Sequence, residues 1–159
     1  MNLGFKLEYI TGFTHRQIYS IKFDDKELNE FRLFFSDENV KSHKKYNRLI
    51  AKIGDLLTKR GFRRYFFKFD QCDDSEILGY IRIGSKKLRL YCAVYSENFI
   101  IFGSGGIKNS AQRQGTIEVD QAFERLRYAE AKIAQRIGEG NISYLSDNKL
   151  TGYLNFSGD

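Results

Sequence analysis

The lysines and arginines of this 159-residue chain are the residues whose type and spacing best indicate a functional site. Residues 41–68 contain ten lysines and arginines against one acidic residue, and residues 82–113 contain six against one. The net charge of the whole chain is +6, so the rest of the chain is acidic. Lysines and arginines gathered in this way bind phosphate groups, and the pattern therefore predicts a polyanionic partner such as RNA. The simpler alternative is a solvated surface, because lysine-rich helix faces are common.

Other kinds of site are only weakly indicated. The glycine-rich segment Gly103–Lys108 lacks the spacing of a nucleotide-binding phosphate loop. The two histidines, His15 and His43, have no partner motif near them, so paired-histidine ribonuclease chemistry is not favoured.

The first basic cluster lies on a predicted amphipathic helix that runs from Ser42 to Arg60. Its apolar residues recur at steps of three and four, and Gly61 follows as a typical helix C-terminus. The apolar positions are Tyr46, Leu49, Ile50, Ile53, Leu56 and Leu57. The basic positions that fall largely opposite are Lys44, Lys45, Arg48 and Lys52. We therefore expect these four side chains to face solvent or RNA.

The second basic cluster lies on predicted strands, because the period of the apolar residues changes to two after Arg63. The predicted strands are 64–69, 77–83, 87–95 and 99–102. In the third of them, one face carries Leu88, Leu90, Cys92 and Val94, and the other carries Lys87, Arg89, Tyr91 and Tyr95. A face that mixes cations with aromatic rings is typical of a nucleic-acid surface.

The remaining patterns predict an α+β fold. Residues 18–23 alternate as a half-buried strand does, residues 25–36 carry a helical apolar stripe, and residues 118–136 carry another. The resulting order is β-α-α-β-β-β-β-α, which indicates an antiparallel sheet with helices on one face.

Length and composition predict one domain. A chain of 159 residues that is 42% hydrophobic can build a single core. We expect a domain at 18–137, an N-terminal extension at 1–17, and a tail at 138–159 whose alternation suits an added edge hairpin. No apolar run approaches the roughly 20 residues of a membrane span, and the N-terminal residues contain no continuous apolar stretch, so we expect neither a membrane span nor secretion. The expected location is the cytoplasm.

The predicted strands carry the pattern of a known family. The run Tyr80-Ile-Arg-Ile-Gly-Ser-Lys-Lys-Leu-Arg-Leu-Tyr91 precedes Val94-Tyr95 and Phe99-Ile-Ile-Phe-Gly-Ser-Gly-Gly-Ile-Lys108. A strand ending in basic residues, an arginine in the next strand, and an apolar strand ending in glycine and a basic residue resemble the RelE/ParE superfamily of bacterial toxins, in its RelE/HigB/Gp49-like branch. The resemblance covers about residues 18–137. It implies a curved antiparallel sheet with an N-terminal helical hairpin and a closing C-terminal helix.

The resemblance also implies an activity, which is cleavage of mRNA on the ribosome by the toxin of a toxin–antitoxin system, without a metal or cofactor. The residues that match the catalytic group are Tyr80, Arg82, Arg89 and Lys108, and those expected to bind RNA are Lys44, Lys45, Arg48, Lys52, Lys86 and Lys87. Arg82 and Tyr80 stand where the family has two lysines. Because a guanidinium group stays protonated, a tyrosine or a displaced lysine would have to accept the proton.

Two other functions stay open on the same fold. One is inhibition of DNA gyrase, as in ParE-like members, and the other is non-catalytic binding of RNA or protein. The cations on the predicted sheet favour RNA contact over gyrase binding. The expected partners are mRNA, the ribosome and a cognate antitoxin from an adjacent gene, and no membrane is expected.

Overall fold

The computed structural model describes residues 3–69, 76–85, 87–108, 113–143 and 149–158. The strands are β1 (Phe5–Phe13), β2 (Arg16–Phe23), β3 (Phe67–Phe69), β4 (Leu78–Ile81), β5 (Leu88–Ser96), β6 (Phe99–Ile107), β7 (Ile142–Ser143) and β8 (Thr151–Gly152). The helices are α1 (Glu30–Ser36), α2 (Glu38–Lys41), α3 (Tyr46–Asp55) and α4 (Arg113–Gly138). A π-helical turn, Leu56–Arg60, continues α3, and a 3₁₀ turn, Arg64–Phe66, precedes β3.

Six strands form one mixed sheet in the order β1-β2-β6-β5-β4-β3. Neighbouring strands are antiparallel except β2 and β6, which run parallel from the Gln17–Phe99 pair to the Ser20–Phe102 pair. The hydroxyl of Ser20 donates to the carbonyl of Phe102 at 2.7 Å and accepts from the backbone N–H of Phe31 at 3.0 Å. This buried side chain therefore joins the parallel strand pair to α1.

The predicted order β-α-α-β-β-β-β-α is wrong. The observed order opens with two strands and closes with two short strands after α4, and the sheet is mixed rather than purely antiparallel. The missing strand is β1, in which Phe5 and Leu7 are buried and pair with β2. A register shift between Tyr9 and Thr11 interrupts its alternation, and the sequence pattern is weakened at that point.

Helices cover both faces of the sheet, which also corrects the expectation of helices on one face. Under α1 and α3, the core includes Phe34, Leu49, Leu56, Ile81, Leu88 and Leu90. Under α4, the core includes Tyr91, Ala93, Ile101, Val119, Leu126 and Ile133. Strand β5 contributes to both cores, which explains why its sequence is almost continuously apolar.

Capping residues set helix starts that differ from the prediction. Helix α1 begins at Glu30 rather than at residue 25, because the Asn29 side chain accepts from the N–H of Arg32 at 2.9 Å. Asp25 instead pairs with Arg125 of α4 at 2.8 Å. Likewise, α3 begins at Tyr46 rather than Ser42, because Ser42 is the C-cap of the separate short helix α2 and residues 43–45 form a turn between the two helices.

The C-terminal segment lies along β1, at one edge of the sheet. The N–H of Leu7 donates to the carbonyl of Leu154 at 2.9 Å, and the N–H of Phe156 donates to the carbonyl of Phe5 at 2.6 Å. None of the helices in the described residues has the length and hydropathy that a membrane-spanning segment needs.

Candidate functional site

A pocket of about 340 Å³ opens between α3 and the connection from β4 to β5. Its lining residues are Arg48, Ala51, Lys52 and Asp55 from α3, and Arg82, Ile83 and Gly84 from the connection. Three cations and one carboxylate thus face one space.

Two of these cations lie on the solvent-facing side of the amphipathic helix α3. Leu49 is buried against the sheet, whereas Arg48 is exposed and Lys52 is half-buried one turn later. Residues four apart lie on the same side of a helix, so Arg48 and Lys52 reach the same space. Lys52 is held by the ring of Phe66, with its Nζ 4.2 Å from the ring centroid.

The carboxylate of Asp55 already pairs with two cations of the protein. Arg60 Nε donates to Asp55 Oδ2 at 2.7 Å, across the wide π-helical turn, and Lys52 Nζ lies 4.0 Å from the same oxygen. Gly61 ends this turn with φ +79°, a left-handed conformation that suits glycine. Asp55 therefore neutralises Arg60 and Lys52 rather than Arg48 or Arg82.

The connection after β4 places Arg82 opposite α3. Arg82 Nε donates to the carbonyl of Phe67 at 2.9 Å, and its backbone N–H donates to the carbonyl of Phe66 at 2.9 Å. Gly84 follows with φ +77°, and a Cβ at that position would lie 3.5 Å from Arg48 Nη1. This left-handed residue lets the connection turn beside Arg48.

Arg48 and Arg82 have no carboxylate within ion-pair distance in the described part of the chain. Both side chains are exposed at the pocket. A guanidinium group presents planar N–H donors that match the oxygens of a phosphate. The pocket is therefore suited to an anion from outside the described residues.

The cations that precede α3 extend this surface. Burial, followed by the charges of Lys44, Lys87 and Lys45, lowers the pKa of His43 below its usual range. Lys87, just before β5, is thus close enough to act on a residue of the turn that precedes α3. We call Lys44, Lys45, Arg48, Lys52, Arg82 and Lys87 the basic surface. Lys86, which was also expected to bind RNA, lies outside the described residues.

Tyr80 and Arg89 meet elsewhere, on the face of the sheet that α4 covers. The guanidinium carbon of Arg89 is 4.5 Å from the ring centroid of Tyr80, and its Nη1 is 3.4 Å from the hydroxyl of Tyr91. Tyr91 is 4% exposed and packs edge-on against Phe123 of α4. The face of β5 that was expected to be open is therefore covered at Tyr91.

The four residues matched to a catalytic group are thus distributed over different places. Arg82 lines the pocket, whereas Tyr80 and Arg89 contact each other on the α4 side. Lys108 lies just after β6, half-buried, where its backbone N–H donates to the carbonyl of Lys87 at 2.6 Å.

Tyr65 is an exposed aromatic residue that the sequence interpretation placed inside a strand. It lies instead in the 3₁₀ turn before β3 and is 82% exposed. Its ring is 5.2 Å from the ring of Phe66, which contacts Lys52 of the pocket. The available signal was the run of three aromatic residues after two arginines, since a half-buried strand would leave one of those rings in water.

The pocket can bind a phosphate, but its lining offers one proton acceptor, Asp55, which two cations already hold. Binding is therefore better supported by this geometry than acid–base chemistry. No protein-family model, curated protein or solved structure matches this chain.

Proposed function

We propose that the protein binds RNA through its phosphate groups, with the basic surface as the contact region. The observation that carries the proposal is the pocket in which Arg48, Lys52 and Arg82 converge. Within the described residues, Arg48 and Arg82 have no carboxylate partner, so an incoming phosphate has no internal anion to displace from them. Charge-assisted hydrogen bonds to phosphate are among the stronger polar contacts.

RNA is favoured as the polyanion by the resemblance of residues 80–108 to toxins that act on mRNA. The mRNA on the ribosome is accordingly the proposed target, and an antitoxin protein is a proposed second partner. The mixture of cations with aromatic rings around the pocket is also more typical of RNA sites than of duplex DNA sites.

Toxin endoribonuclease activity is the second candidate, and the contact between Arg89 and Tyr80 favours it. Both residues match catalytic positions of the family that the chain resembles. Cleavage by 2′-hydroxyl attack needs a base, an acid and cations around one phosphate. Because Arg82 lines the pocket whereas Arg89 and Tyr80 contact each other on the α4 side of the sheet, binding without cleavage is the stronger proposal.

The proposal is tested by the Arg48→Gln/Arg82→Gln double variant. We expect its affinity for a fluorescent RNA to fall at least tenfold, because each charged hydrogen-bond donor contributes about 1.5 kcal/mol or more. Fluorescence anisotropy measures the affinity. Arg48 is exposed and Arg82 loses one hydrogen bond, to the Phe67 carbonyl, so the free energy of unfolding should fall by no more than about 1.5 kcal/mol.

Arg127→Gln is the matched control, because Arg127 is a half-exposed arginine of α4 that pairs with Glu124. Its affinity should equal that of the parent. Equal RNA affinities of the parent and the double variant would contradict the proposal. RNA recovered in pieces, with cleavage lost in Arg89→Ala, would favour the endoribonuclease instead.

A further inference from the structure

We propose that Tyr65 stacks on an unpaired nucleobase, so that the RNA bound by the basic surface is single-stranded. The inference rests on the proposed function and specifies the form of RNA that the site takes. Tyr65 is 82% exposed, the highest value among the exposed large hydrophobic side chains of the described residues. An aromatic ring kept in water beside a basic pocket is an unused stacking surface.

The ring of Tyr65 is connected to the pocket through Phe66. The two rings meet edge to face at 5.2 Å, with 82° between their planes. Phe66 also has Lys52 Nζ at 4.2 Å from its ring centroid, and its carbonyl accepts from the backbone N–H of Arg82. Tyr65 is therefore one ring away from Lys52 of the pocket, so that a phosphate and its own base can be bound together.

The turn that carries Tyr65 is fixed by its neighbours. The guanidinium carbon of Arg64 lies 3.9 Å from the ring centroid of Phe69, and its Nη1 donates to the carbonyl of Glu76 at 2.9 Å. Arg63 Nε lies 3.8 Å from Glu97 Oε1, and the N–H of Phe66 donates to the carbonyl of Arg63. The backbone that carries Tyr65 is thus anchored, which lowers the conformational entropy lost when the ring stacks on a base.

Positive charge near Tyr65 suits the phosphate backbone of the same RNA strand. Lys68 is exposed three residues after Tyr65 in the sequence. A single RNA strand that places a base on Tyr65 can place the neighbouring phosphates near Lys68 and in the pocket. Aromatic stacking combined with a basic groove is the usual mode of single-strand binding.

Whether the bases are paired determines which form of RNA can stack on Tyr65. In a duplex, neighbouring base pairs cover both faces of each base, so a protein ring can stack only on a base that is unpaired or at an end. An exposed tyrosine beside a phosphate pocket therefore distinguishes single strands from duplexes, whereas the cations alone do not.

The experiment compares a short unstructured RNA with the same RNA annealed to its complement. We expect the parent to bind the single strand more tightly, and Tyr65→Ala to weaken that binding about tenfold while leaving duplex affinity unchanged. Tyr65→Phe should retain the affinity for the single strand. Tyr153→Ala is the matched control, because Tyr153 is 70% exposed but lies in the C-terminal segment, where α4 holds it.

A spectroscopic measurement detects stacking directly. The chain contains no tryptophan, so Tyr65→Trp introduces a single reporter. Addition of single-stranded RNA should quench its emission, whereas emission from a Tyr153→Trp control should stay constant.

The outcomes separate this inference from the proposed function. If Tyr65→Ala binds single strands as the parent does while Arg48→Gln/Arg82→Gln loses affinity, stacking is excluded and RNA binding stands. A parent that binds duplex as tightly as single strands also overturns the inference. A parent that binds neither RNA overturns both proposals.

Discussion

Arg48 and Arg82 differ from several other arginines of the described residues in what surrounds their guanidinium groups. Arg60 pairs with Asp55, Arg63 with Glu97 and Arg125 with Asp25, so these charges are balanced within the protein. The sequence identified a basic region but could not tell balanced from unbalanced arginines in it. That distinction depends on the π-helical turn that brings Arg60 to Asp55, and this turn has no recognisable pattern in the sequence.

Glu30 is a buried carboxyl group at the start of α1. Its residue is 4% exposed, and burial raises its pKa to about 7, although the charges of Arg125 and Lys26 act in the opposite direction. Arg125 is already engaged by Asp25, whose own charge raises the pKa of Glu30 further. Glu30 therefore holds its proton in the folded state over a range where the unfolded chain has lost it.

Stability should fall with rising pH because of this residue. Between pH 4.5 and about 7 the folded state binds more protons than the unfolded state, so the free energy of unfolding decreases through this window. At about 1.4 kcal/mol for each pKa unit, the loss is about 3 kcal/mol. Glu30→Gln carries no charge in either state and should not show it.

Urea unfolding at several pH values measures this difference. The gap in unfolding free energy between Glu30→Gln and the parent should widen by about 3 kcal/mol as the pH rises from 4.5 to above 7. Glu27→Gln, which changes an exposed acid nearby, should keep the pH profile of the parent. Parallel profiles for the parent and Glu30→Gln would contradict the expectation.

At the level of elements, the sequence was most informative where periodicity is strong. Helix α3 and the strands β4, β5 and β6 lie close to the places that their apolar patterns predicted. The parallel pairing of β2 with β6 was not predictable in this way, because it joins residues 17–20 to residues 99–102. Pairing between distant segments depends on packing of the whole chain rather than on local pattern.

The coverage of β5 could have been inferred from its composition. Its residues Leu88 to Val94 are almost all apolar, which is typical of a strand that is buried on both faces. The alternation of Arg89 with Tyr91 suggested an open face instead. Helix α4 covers this face at Tyr91, whose ring packs against Phe123.

Phe156 anchors the C-terminal segment to β1 and α4. It is 1% exposed, stacks on Phe5 with 4.4 Å between ring centroids, and lies under the guanidinium group of Arg136 at 3.6 Å. Arg136 also donates to the carbonyls of Tyr153 and Asn155. A single ring thus holds together an edge strand, a helix and the segment that covers the edge.

Phe156→Ala should therefore lower the free energy of unfolding by about 3–5 kcal/mol, as removal of a buried phenylalanine does. Tyr153→Ala, at a 70% exposed position of the same segment, should change it by no more than about 0.5 kcal/mol. Urea denaturation provides both values. Similar losses in the two variants would show that the segment as a whole, rather than the Phe156 ring, determines the stability of this edge.

In the whole molecule, two basic segments that are separate along the chain lie together in space. The cations of α3 and those near β4 and β5 are far apart in sequence and join in the basic surface. Local sequence pattern does not show that the two sets meet, because their contact depends on how α3 packs across the sheet. Local concentration of charge, rather than the net charge of +6, should then govern RNA binding.

Salt dependence distinguishes local from overall charge. Each phosphate contact with single-stranded RNA releases counterions, so losing one contact should reduce the slope of log affinity against log salt by about 0.7. One variant replaces Lys44, Lys45, Arg48 and Lys52 with glutamine, and the control replaces Lys6, Lys22, Arg127 and Lys132. Both variants lose four positive charges, but only the first loses them from the basic surface.

We expect the slope to fall in the first variant and to stay close to that of the parent in the control. RNA affinity measured by anisotropy over a series of salt concentrations gives both slopes. If the slopes fall equally in the two variants, RNA responds to overall charge and the basic surface has no special role. If neither slope changes, the helix cations make no phosphate contacts, and any RNA contact is then left to Arg82 and Lys87 beside the pocket.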